Sequence, residues 1–154
     1  MLKDVLEQQG KKGVEIVRAA VSKYSATGET ERSIEYKSDA TSLQILAREF
    51  IIAMETGRGP RQSSSDGGFK DKMLKYMQAR GIGADLDQKK KDALAKFLVL
   101  KINREGDRLY KKGGGRDVYT SAVEKFAEDL IQAVSRDQFK RFGDKINETF
   151  KDIK

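Results

Sequence analysis

Apolar residues near the start of the chain recur at three- and four-residue intervals. Val14, Val17, Ala20 or Val21, and Tyr24 fall on one face of a helix predicted over Leu2 to Tyr24. Gly10 and Gly13 weaken its first turns, so residues 1–12 are expected either as a separate short helix or as a flexible arm. Gly28, after Ala26-Thr27, suits a left-handed cap and ends the segment. The period then changes from near four to two. Ile34, Tyr36 and Ser38 alternate with Glu35 and Lys37, the pattern stops at Asp39-Ala40, and Leu43, Ile45 and Ala47 alternate in turn. Two short strands around a tight turn predict an antiparallel hairpin. Phe50 to Met54 is continuously apolar and reads as a buried strand or a helical turn; the spacing from Ala47 to Met54 favours the helix.

From Gly57 to Gly68 the chain carries glycines, serines and its sole proline, which predicts a loop that presents Arg58 and Arg61 to a partner. The second half returns to helical spacing. Phe69, Met73, Tyr76 and Met77 form one stripe, ended by Gly81-Ile82-Gly83. Asp87 is placed to cap a helix in which Leu94, Phe97, Leu98 and Ile102 face inward and Gly106 closes the turn. Val99 and Leu100 point elsewhere, as expected of a central core helix or one buried in an oligomer. Lys111, Lys112 and Arg116 flank a glycine triplet that lacks the ending of a phosphate-binding P-loop, so a flexible turn is expected there. Ser121 with Glu124 predicts a capping box for the last helical region. Val123, Phe126, Leu130 and Val134 make one stripe; Phe139, Phe142, Ile146, Phe150 and Ile153 make another, out of phase with it. The five-residue step at Val134 predicts either two helices joined near Ser135 or one long helix whose apolar face rotates. The phenylalanine-rich stripe is expected to bury itself against another chain or a separate part of the domain.

These elements predict an α+β fold, mostly helical, with a small antiparallel hairpin after the first helix and a long C-terminal helical region. All 154 residues fit one domain, with residues 1–68 holding the helix, hairpin and loop and residues 69–154 the helical part. Composition narrows the function classes. The chain has no cysteine and no histidine, which removes Ser-His-Asp and Cys-His nucleophiles, disulfides and nearly all zinc sites. The acidic residues are scattered among basic ones, so no enzyme, cofactor or metal site is expected. No apolar run reaches the roughly 18 residues that span a bilayer, which predicts a soluble chain with no membrane partner. A net charge of +7 is concentrated between Arg58 and Lys112, where 15 Lys and Arg face 7 Asp and Glu. Such a stretch suits nucleic acid or an acidic protein surface.

Thr27-Gly28 with Arg32-Ser33-Ile34, then the hairpin, then Glu55-Thr56-Gly57-Arg58-Gly59-Pro60, resembles the neck and tail-completion family of long-tailed phages. In that family a "TG-x-L-x-x-S-I" segment precedes the strands and "E-x-G-T/R-x-P" follows them. Thr30 and Glu31 stand where the family usually carries an apolar residue. Leu94 to Ile102, Gly106, Tyr110 and Gly113 to Tyr119 are similar to small virion proteins of Bacteroidetes phages, including the crAss-like group. The resemblance implies a ring subunit at the head–tail junction of the virion, made in the host cytoplasm. It would bind copies of itself and neighbouring portal, connector or tail proteins, with DNA near its basic middle. Arg58, Arg61, Lys111, Lys112, Arg116, Phe139, Phe142, Ile146 and Phe150 are the expected contact residues. A basic nucleic-acid-binding protein is the competing class.

Overall fold

A computed structural model describes residues 2–61 and 68–151, with the side chains of Phe150 and Lys151 outside the described set. In chain order the elements are α1 (Leu2–Ser22), α2 (Glu29–Arg32), β1 (Glu35–Ser38), β2 (Leu43–Leu46), α3 (Phe50–Thr56), α4 (Phe69–Ala79), α5 (Gln88–Glu105), α6 (Arg108–Lys111) and α7 (Thr120–Lys151). The protein is thus mostly helical, with a two-stranded antiparallel sheet behind the first helix and a long C-terminal helix. No helix among the described residues is long and apolar enough to cross a membrane.

The strands pair Glu35 with Leu46 and Ser38 with Leu43. Their turn is built on Asp39, whose Oδ1 accepts the amides of Thr41 and Ser42 at 2.7 Å each. The Ser42 hydroxyl and those amides pull the Asp39 carboxyl down to about 2. The apolar run after the hairpin is helix α3, not a strand, with Ile51 and Met54 buried. These two residues join Val14, Val17, Val21, Ile34 and Val118 in a first core, flanked by Tyr24, Tyr36, Ile45 and Tyr119. Thr30, though polar, is itself buried.

Gly10 and Gly13 do not interrupt α1, which runs unbroken through both. A Cβ on Gly10 would lie 2.4 Å from the Tyr36 ring, and one on Gly13 would lie 2.7 Å from both Phe126 and Ile45. The residues that weaken the helix locally are the ones over which the hairpin and α7 pack. Gly28 is left-handed (φ 69°), yet it introduces α2 and does not cap α1, which has already ended at Ser22.

Met73 and Met77 of α4 pack on Ala95 and Val99 of α5 in a second, separate core. Leu94, Leu98 and Ile102 pack on this core as expected for α5, but Phe97 and Val99 exchange places. Val99 is buried while Phe97 is 58% exposed, and Leu94, Leu98 and Ile102 are half-buried flanks. A helix apolar on several sides does not declare which side is covered, and α4 covers the Ala95–Val99 line. The Asp87 cap is formed, with its carboxylate accepting the Lys90 amide at 2.8 Å.

α7 is one helix through Ser135. Its start differs from the expected Ser121–Glu124 box: Asp117 accepts the Ser121 amide at 3.2 Å, and the Thr120 amide turns to a distant carboxylate described below. Phe126 is buried over Gly13, on the side packed against α1. At 100° per residue, Ile131, Phe139, Phe142 and Ile146 fall within an arc of about 80° on the opposite side.

Candidate functional site, a cation-lined cleft between two cores

Glu55 ends α3 and fixes the start of α7. Its Oε1 accepts the amides of Val118, Tyr119 and Thr120 at 3.0, 3.2 and 3.0 Å, and its Oε2 accepts the Thr120 hydroxyl at 2.8 Å. One side chain therefore gathers the amides at and just before a helix start more than sixty residues away. Burial pushes the Glu55 carboxyl up, but the donors from Thr120, Val118 and Tyr119 together outweigh it and leave the group below its usual range. Burial and the nearby Glu55 charge raise the Tyr119 phenol.

The next residues are clamped, not free. Gly57 has φ 80°, and a Cβ there would stand 2.1 Å from the Tyr110 amide nitrogen, so only glycine lets the two backbones meet. The Arg58 amide donates to Asp107 Oδ2 at 2.9 Å, and the Asp107 amide returns a bond to the Arg58 carbonyl at 2.8 Å. The Arg61 amide donates to the Asn103 carbonyl at 2.8 Å. Asp107 also accepts the Tyr110 amide at 2.8 Å, which starts α6. The expected loop from Arg58 to Gly68 is thus pinned along the end of α5 as far as Arg61; Gln62 to Gly67 lie outside the described residues.

This clamp aims the cations. The Arg58 guanidinium lies 3.5 Å from the centroid of the Phe69 ring, and that of Arg116 lies 5.3 Å from Tyr24. Both arginines and Arg61 line a cleft of about 520 Å³ between the two cores. Lys72 and Lys75 of α4 and Arg80 at its C-terminal cap line it too, with Arg48 from the turn before α3 and Arg108 from α6. Eight cations therefore face two carboxylates, Glu29 and Asp107. Glu29 is engaged by Lys75 at 3.3 Å and Arg48 at 3.8 Å, and the Lys75 ammonium draws its carboxyl below the usual range. Among the described residues, Arg61, Lys72, Arg80, Arg108 and Arg116 form no ion pair. Phe50 (56% exposed) and Tyr76 (43% exposed) present their rings at the same cleft. A smaller depression of about 300 Å³ adjoins it, sharing Glu29 and Arg48 and adding Arg32 and Ser33.

Of the five cations expected to meet partners, Arg58, Arg61 and Arg116 come together here. Lys111 does not; it pairs with Glu105, whose carboxyl Arg104 and Lys111 hold at about 2. Lys112 is exposed and also lies off the cleft. Phe139 (76% exposed), Phe142 and Ile146 stay uncovered on α7, so no other part of the described chain buries them; the Phe150 side chain lies outside the described residues. Sequence reasoning missed Arg48, Lys72, Lys75, Arg80 and Arg108. The signal on α4 was present, since Lys72, Lys75, Tyr76 and Arg80 share one strip at helical spacing. No family model, no curated protein and no solved structure matches the chain.

Proposed function

We propose that this protein is a non-catalytic structural subunit that docks through the free side of α7 onto a second copy of itself, as a ring component at the head–tail junction of a tailed phage. The observation that carries the reading is the uncovered stripe of Ile131, Phe139, Phe142 and Ile146, on the side of α7 opposite the one packed on α1. A helix that packs one side on α1 and still presents two phenylalanines and two isoleucines to water on the other carries an apolar stripe of the kind that marks interfaces. Docked on a different face of the next copy, the stripe makes a heterologous contact, and such a contact closes a ring when its rotation divides the full turn. The phage setting comes from the resemblance of Thr27 to Ile34 and Glu55 to Pro60 to neck and tail-completion proteins. In this chain those residues do architectural work: Gly28 opens α2, Ile34 sits in the first core, and Glu55 and Gly57 lock α3 to α6 and α7.

The test is at the level of the particle. Virions purified from the phage that encodes the chain should contain it at a fixed copy number matching the symmetry of the junction. The double variant F139S/F142S should keep the wild-type circular dichroism spectrum and be missing from the particles. Absence of the wild-type chain from purified virions, or full incorporation of the variant, would overturn the reading.

A further inference from the structure

We infer that the cleft between the two cores binds a single-stranded nucleic-acid segment, with phosphates held by Arg61, Lys72, Arg80 and Arg108 and bases stacked on Phe50 and Tyr76. This does not rest on the assembly reading, because the cleft and the α7 stripe share no residue.

Three observations point to that ligand. The cleft is lined by eight cations, and its two carboxylates are already engaged, Glu29 by Lys75 and Arg48 and Asp107 by backbone amides. The charge is concave and is not spread over a convex helix face, which focuses the potential on whatever enters. Aromatic rings lie among the cations: Phe69 and Tyr24 are stacked under Arg58 and Arg116, while Phe50 and Tyr76 remain exposed. An acidic peptide would use the cations and leave those two rings wet. A single strand uses both, because its phosphates are spaced along a flexible backbone and every base offers a face to stack. Lys72 and Tyr76 of α4, with Arg80 at its C-terminal cap, form one wall of the cleft.

Fluorescence anisotropy with a labelled oligo-dT, the full-length protein and a salt series reads the proposal out. Neutralising four phosphates predicts that log K falls with log salt with a slope of about −3. The exposed variant R80E/R108E should weaken binding at least tenfold, and Tyr76→Ala about fivefold or more. The charge-matched control K89E/K96E, on exposed positions of α5 outside the cleft, should change it less than twofold. Several results would overturn the site: no binding at low salt, equal losses in control and cleft variants, or an unchanged Tyr76→Ala. Equal affinity for a duplex would remove the stacking role. Competition by poly-glutamate at the same charge concentration would assign the cleft to an acidic protein.

Discussion

The core around α1 gathers Val14, Val17 and Val21, Ile34, Ile51 and Met54, and Val118 from four separated stretches, whereas Met73, Met77, Ala95 and Val99 come from two consecutive helices. The first is closed by devices that leave little freedom: a carboxylate that caps a distant helix, and glycines over which rings lie flush. The second relies on two methionines against an alanine and a valine, side chains that adapt to irregular gaps. One region is a specified frame, the other a local hairpin of helices attached by the clamp at Arg58 and Asp107. The difference places the cleft at the seam, where one wall is fixed by long-range bonds and the other is carried on α4.

Hollowing each core in turn should separate the two regions most strongly. Ile34 is fully buried, and Ile34→Ala should cost about 2–5 kcal/mol in chemical denaturation. It should raise hydrogen exchange throughout α1, the hairpin, α3 and α7. Met77→Ala should confine its effect to α4 and α5; a uniform rise in exchange from both variants would mean that the two cores are one cooperative unit.

Next in size is the carboxylate cap. Glu55→Gln should cost about 1.5–3 kcal/mol at neutral pH, the range for hydrogen bonds to a charged group. Because the folded carboxyl is held below its usual range, its contribution is complete above the unfolded value near 4.3 and is lost as pH falls through the folded value. The gap between wild type and variant should therefore narrow below about pH 4; a gap that widened in acid would refute the cap.

Smaller effects sharpen the picture. Gly10→Ala should gain helix propensity yet lose about 1–2 kcal/mol net, because the new methyl must displace the Tyr36 ring. A thermal melt showing stabilisation would return Gly10 to the role of a simple helix weakener. Smallest of all, Phe97→Ser on the exposed side of α5 should shift stability by no more than about 0.5 kcal/mol. A larger loss would mean that Phe97 is covered in solution.

Much of the fold was legible because local period decides it. Alternation at Ile34 to Ser38 and Leu43 to Ala47 specified the hairpin, the spacing around Phe50 favoured α3, and Asp87 and Gly106 bounded α5. The misreadings share one cause, which is that local rules omit partners. Gly10 and Gly13 lower helix propensity, but the packing of Tyr36 and Phe126 offsets the loss. Phe97 carried the right spacing for a core face, but α4 lies against Ala95 and Val99. The phase change after Val134 marked an exchange of apolar sides on one continuous helix, which a break in period alone does not distinguish from a join. For the cleft, composition disclosed the basic middle, and Arg58, Arg61 and Arg116 were singled out. Arg48 and Arg108 join them only through the tertiary clamp, which no spacing along the chain encodes.

The reach of Glu55 to the amides of Val118 to Thr120 also sets an order of events during synthesis. At roughly 5–20 residues per second, a ribosome needs about 3–13 seconds to deliver those partners after Glu55 has been made. Throughout that interval Val14, Val17, Val21 and Ile34 lack Val118, while α4 and α5 can pair as soon as Val99 clears the exit tunnel. α1, made before the elements that cover it, is thus among the last to be sealed. An interruption of translation before Val118 would release a chain in which Ile34, Ile51 and Met54 can still meet Val14, Val17 and Val21, while the side of α1 that α7 covers stays open.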